Sequence, residues 1–131
     1  MISESNQWTP LRIVVAIVWI ASLSVWTWLL LDPSPVPPSL KPEPTMSYFL
    51  AKSLHVCGYG WCTLLGLWLL RKLPWRILFA GFMVWHGIAT EIIQSYIPTR
   101  TGSEKDVGFD TLGISLACLV IWLYHNYYKR K

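Results

Sequence analysis

A small set of residues able to do chemistry in this 131-residue chain falls at helical spacing inside otherwise apolar sequence. Lys52, His55 and Tyr59 are spaced i, i+3, i+7 and so share one helix face. Gly87, Glu91 and Gln94 share a face at i, i+4, i+7, Asp110, Gly113 and Ala117 do so at i, i+3, i+7, and Arg100, Ser103 and Asp106 lie between those two sets. An imidazole takes up a proton near neutral pH, so His55 is a candidate proton acceptor and Glu91 its acidic counterpart. The stretch Arg100, Thr101, Gly102, Ser103 combines a guanidinium, two hydroxyls and free backbone amides, a set suited to a phosphate or carboxylate headgroup.

Each of these residues has a plainer reading. Glu91 could be half of a buried pair with Lys52, and Lys52 could reach up to a nearby membrane interface. His55 could simply donate a hydrogen bond to Glu91, and Arg100 could fold its loop by pairing with Asp106. His86 is rotated off the Glu91 face and reads as a core histidine bonded across helices; His125 needs no role. A metal set of His55, Glu91, Asp106 and Asp110 lacks the short ligand spacing of zinc sites and would compete with Lys52, so neither metal nor cofactor is expected. No Ser-His-Asp arrangement is supported, because Ser103 is not on a nucleophile elbow. Cys57, Cys62 and Cys118 sit in apolar runs and read as packing residues rather than a disulfide framework.

Four apolar stretches, at about 11–31, 47–70, 77–97 and 110–127, must position these groups. Stretches of this length read as membrane-spanning helices, because hydrocarbon holds no water to satisfy free backbone groups. The expectation is an all-α membrane protein, a four-transmembrane-helix bundle in one domain over 1–131. Charged residues are 14% of the chain, against about 25% in soluble domains, and hydrophobic residues are 53%, which excludes disorder. The first stretch exceeds a signal-peptide core and lacks a small-x-small cleavage site, so it reads as an uncleaved helix.

The connections differ in character. Segment 32–45 is Pro-rich and extended, 71–76 is a short basic turn with Pro74 as a helix stop, and 98–109 is polar. Arg12, Arg71, Lys72, Arg76, Lys129, Arg130 and Lys131 fall on one side of a four-span topology, against Lys41, Arg100 and Lys105 on the other. The positive-inside rule therefore predicts both termini in the cytoplasm. Six of the seven acids, all but Glu4, then lie outside or in the outer half of the membrane. The net charge of +4 is explained by orientation, and no nucleic-acid partner is expected. At 1.5 Å per residue, Lys52 and His55 lie about 7 and 12 Å below the outer end of their helix, and Gln94 and Glu91 about 5 and 9 Å. The polar groups thus share one depth band. Ionisable groups in hydrocarbon turn inward and pair, so Lys52 and His55 should face Glu91, and Arg100 should face Asp106 or Asp110. Gly58, Cys62 and Gly66 should form a small-residue packing ridge.

Lys52-x-x-His55-x-x-x-Tyr59, followed by Glu91-x-x-Gln94-x-x-x-Pro98-x-Arg100, Ser103 and Asp106, resembles the paired motifs of VanZ-like membrane proteins. The match runs from about residue 51 to 117. It departs at Ala51, where the family commonly has Asp, at Asp110, commonly Asn, and at Ala117, commonly Gly. The resemblance implies a multi-pass protein of the bacterial cell membrane and a link to lipoglycopeptide resistance. It implies a site but no reaction. Three functions fit these residues. One is recognition of an amphiphile, either a membrane lipid or a lipid-linked envelope precursor. The second is intramembrane acid–base catalysis by Glu91 and His55. The third is an accessory subunit whose polar network only holds helices together.

Overall fold

A computed structural model describes residues 9–33, 43–100 and 102–129. They form four helices: α1 (Pro10–Leu31), α2 (Pro44–Leu69), α3 (Leu73–Ser95) and α4 (Glu104–Lys129). Of the Pro-rich segment, 34–42 with Lys41 lies outside the described residues, as do Glu4, Thr101, Arg130 and Lys131.

Pro10, Pro44 and Pro74 each stand in the first turn of a helix. The amides of a first turn have no intrahelical acceptor, so proline removes nothing there and its fixed φ suits the helix. Pro74 therefore starts α3 rather than stopping a helix, and Trp75 and Arg76 belong to α3. Helix α4 also begins earlier than expected, which puts Glu104 and Asp106 in its first turn, where the positive end of the helix favours acids.

Helix α2 packs against the other three, whereas the backbones of α1 and α4 stay apart among the described residues. The closest approach is between α2 and α4. Gly113 lies against the backbone of Val56 and Gly60, and a Cβ at Gly113 would collide with the Val56 carbonyl oxygen. The expected ridge of Gly58, Cys62 and Gly66 serves a different purpose. Gly58 makes room for the Trp26 ring of α1 and Gly66 for the Phe79 ring of α3, while Cys62 is buried with Leu30, Tyr59, Met83 and Ile114.

Helices α1, α3 and α4 are long and apolar enough to cross a membrane. Helix α2 has the length, 26 residues, but not the apolarity, because Lys52, His55 and several hydroxyl residues interrupt it. Burial is inverted relative to a water-soluble domain. Ile13, Ile17, Trp28, Leu116, Leu119 and Trp122 are exposed, while Thr63, Thr90, Glu91, Gln94, Asp106 and Asp110 are buried. Apolar surface on that scale is foreign to soluble monomers and suits a hydrocarbon surround.

Candidate functional site

The site is assembled where α3 ends and α4 begins. Ser103 starts α4: its carbonyl accepts from the Asp106 amide at 2.9 Å and its Oγ from the Lys105 amide at 3.2 Å, the pattern of a serine N-cap. Gly102 crosses the last turn of α3 so closely that a Cβ would collide with the Glu91 carbonyl oxygen. That approach lets the Ser103 backbone N–H donate to Glu91 Oε2 at 2.8 Å. The Glu91 carboxylate thereby sits at the positive end of α4.

Helix α2 brings an ammonium and an imidazole to the same place. Lys52 forms an ion pair with Asp106, and His55 Nδ1 lies 2.7 Å from Asp110 Oδ1, where Nδ1–H donates to the carboxylate. Ligand atoms of His55, Glu91 and Asp106 all fall within 4.8 Å of one another. Asp110 is 1% exposed and Glu91 5%. Their second oxygens, Asp110 Oδ2 and Glu91 Oε1, are buried with no hydrogen-bond partner among the described residues. Gly87 leaves the space Asp110 occupies: a Cβ there would lie 3.0 Å from Asp110 Oδ2. Trp26 stands edge-on to the rings of His55 and Tyr59 and covers the site from α1.

A second polar chain lies beside this cluster. The Tyr59 hydroxyl is 3.0 Å from His86 Nδ1 and 3.1 Å from Thr90 Oγ1, and His86 Nε2 is 3.0 Å from Thr27 Oγ1. Thr27 gives its one hydroxyl proton to the Leu23 carbonyl at 2.7 Å, so His86 Nε2–H donates to Thr27. The chain joins α1, α2 and α3 in the middle of the bundle.

These partners differ from the expected ones. Lys52 and His55 pair with Asp106 and Asp110 of α4 rather than with Glu91, because α2 packs most closely on α4 and because α4 extends back to Glu104. Arg100 meets neither Asp106 nor Asp110. Its Nη2 donates to the Leu29 and Asp32 carbonyls at 2.9 and 2.8 Å, and its Nε to Asp32 at 3.0 Å. Gln94 Nε2 donates to the Leu30 carbonyl at 2.8 Å, and Thr99 Oγ1 to the Pro33 carbonyl at 2.7 Å. The cause is the C-terminus of α1, whose last carbonyls have no intrahelical partner and are followed by Pro33, which has no N–H to offer. Lys52, His55, Glu91, Asp106 and Asp110 therefore converge with the Ser103 amide, while Tyr59, Gln94 and Arg100 do other work. Thr27 and Thr90 escape a reading of the sequence. The one signal for Thr90 is its i+4 spacing from His86, one helical turn on the same face.

Beside Lys52, α2 and α4 leave an open apolar groove of about 320 Å³, lined by Tyr48, Phe49, Val56, Phe109 and Leu112. Lys52 Nζ stands 5.1 Å from the Tyr48 ring centroid and 5.9 Å from that of Phe109, within cation–π range. The cluster thus has one charged edge continuous with an apolar surface. The chain matches no family model, and no curated protein and no solved structure is significantly similar to it.

Proposed function

We propose that this chain is a VanZ-like, four-span bundle of the bacterial cell membrane with both termini in the cytoplasm, and that it recognises the headgroup of an amphiphile. The amphiphile is a membrane lipid or a lipid-linked envelope component. The family reading rests on the spacing of Lys52, His55, Glu91, Gln94, Arg100, Ser103 and Asp106. Helix α2 counts as the fourth span because its ionisable side chains, Lys52 and His55, are paired inside the bundle, which lowers what they cost in hydrocarbon.

The observation that carries the binding reading is the junction at Lys52. An ammonium held by Asp106 lies at the edge of a groove whose other walls are aromatic and aliphatic apart from Ser53 and Cys57. An amphiphile needs both: a polar contact for its head and an apolar track for its chain. Mass spectrometry of lipids co-purified with the wild-type protein tests this. One lipid class should be enriched over the bulk membrane, and Val56→Trp, which fills the groove, should abolish the enrichment while leaving the protein folded. Equal lipid profiles for the two proteins would refute the reading. Lipoglycopeptide tolerance in a host that shows any should fall with the same substitution. A reporter fused to the C-terminus that proved extracytoplasmic would overturn the orientation.

A second reading, the accessory subunit, is favoured by Gln94 and Arg100. Both are engaged on the end of α1, and neither is directed to a ligand. It predicts that Val56→Trp changes nothing but that Arg100→Ala lowers abundance.

A further inference from the structure

We propose that Glu91, Asp106 and one imidazole nitrogen of His55 form a site for a single divalent cation of the Zn2+ or Mn2+ class. This goes beyond amphiphile recognition and stands or falls separately from it.

The first argument is geometric. One ligand atom from each of the three residues lies within 4.8 Å of the other two. Bonds of about 2.0–2.2 Å put neighbouring ligand atoms on a Zn2+ ion roughly 3.4 Å apart. Closing the cluster to that spacing needs movements of about 1 Å, within the reach of side-chain torsions. The donors come from three helices, α2, α3 and α4, so one ion would bridge all three at a single point.

The second argument is an unpartnered oxygen. Glu91 Oε1 is buried without a donor among the described residues, in a residue more than nine-tenths inaccessible. A carboxylate oxygen left that way is costly unless a cation or proton reaches it.

The third argument is charge. Among the described residues, the titratable groups facing the cluster are the acids Glu91, Asp106 and Asp110, the ammonium of Lys52 and the imidazole of His55. Arg100 is turned away onto α1. With a neutral imidazole, three carboxylates against one ammonium leave two negative charges, and the α4 N-terminus offsets only about half of one. A divalent ion supplies the missing charge.

The fourth argument is the orientation of His55. A carboxylate hydrogen-bonded to one ring nitrogen fixes the tautomer and leaves the other nitrogen for a metal, and Asp110 stands in that relation to His55 Nδ1. One imidazole with two carboxylates suits Zn2+ or Mn2+ rather than a purely oxygen-seeking ion. Lys52 is the built-in competitor, because its ammonium already sits on Asp106.

The test uses tag-free full-length protein in mild detergent, stripped with a chelator and titrated with Zn2+ or Mn2+ alone. One ion should bind per chain and raise the thermal midpoint. Glu91→Gln and Asp106→Asn should weaken binding at least 100-fold with helix content unchanged. Asp110→Asn, which only holds His55, should weaken it about 10- to 100-fold. Lys52→Met should tighten it at least 10-fold, an outcome that a purely structural ion pair does not predict. If Glu91→Gln fails to fold, the wild-type titration and the Lys52→Met comparison still decide. Absence of saturable binding by folded wild-type protein overturns the proposal, as does Lys52→Met binding no tighter than wild type. Lipid enrichment without ion binding would sink this inference alone, and ion binding without lipid enrichment would sink only the amphiphile reading.

Discussion

At one end of the bundle, Gln94 and Arg100 donate to the last carbonyls of α1; at the other, Arg12 donates to the Leu69 carbonyl and Arg76 Nε to the Leu70 carbonyl at 2.8 Å, at the end of α2. The device is the same: a long side chain from a neighbouring helix satisfies a helix C-terminus. The surroundings are opposite. The first end holds Glu91, Asp106 and Asp110 with Lys52 and His55, largely buried. The second is a basic and aromatic groove of about 290 Å³, lined by Trp68, Arg71, Arg76, Tyr124 and His125, with no carboxylate among the described residues that line it. Helix capping is thus common to both ends, and it accounts for Arg100 and Gln94. It does not account for the buried acids, which are an addition specific to one end and what makes that end a candidate for a ligand.

The sharpest way to break this contrast is at His55. His55→Ala leaves Asp110, nearly inaccessible, without a donor on either oxygen. Leaving a buried carboxylate without a hydrogen-bond donor costs about 3 kcal/mol or more. Unfolding in detergent should show a loss of that size, larger than the loss from Arg100→Ala or Arg76→Ala. A loss no greater than that of Arg76→Ala at the opposite end would mean the two ends are energetically alike.

Arg100→Ala comes next. It removes a charged donor from two carbonyls, and hydrogen bonds to charged groups contribute about 1.5–3 kcal/mol each. Water can rehydrate part of that surface, so the expected loss is about 2–3 kcal/mol. The effect should also spread. Arg100 anchors the short loop that brings Ser103 to Glu91, so the variant should weaken Zn2+ or Mn2+ binding as well as stability. Unaltered ion affinity would show that the cap and the cluster are independent.

This coupling marks the boundary of what the sequence discloses. The helical period groups Lys52 with His55, which both meet α4, and Glu91 with Gln94, which part to α4 and α1. It does not reveal which helix a face meets. Lys52 and His55 turn to α4 because Gly113 lets α2 and α4 approach until backbones touch, an outcome of packing and not of charge. The start of α4 is hidden because Glu104, Lys105 and Asp106 look like a polar loop, although acids in a first turn are what a helix N-terminus favours. Pro74 is ambiguous in the same way: proline stops a helix it falls within and suits a helix it begins. Arg100 invites pairing with an acid because carboxylates are visible in a sequence and unsatisfied carbonyls are not. Pro33 is the clue to its partners, since it has no amide to offer the end of α1.

The smallest effect is expected from Arg76→Ala, and its smallness is what separates the ends. Arg76 makes the same kind of bond as Arg100, to a carbonyl at a helix C-terminus. It serves one carbonyl instead of two. It shares the open groove with Arg71, so its removal also lowers the like charge gathered there. No buried acid depends on its position. The net loss should be about 0.5–1 kcal/mol, the worth of a single net hydrogen bond at a wet edge. Ion affinity at the far end should not change. If Arg76→Ala instead lowered stability as much as Arg100→Ala, capping alone would govern both ends, and the special standing of the loop that joins Arg100 to Glu91 would be lost.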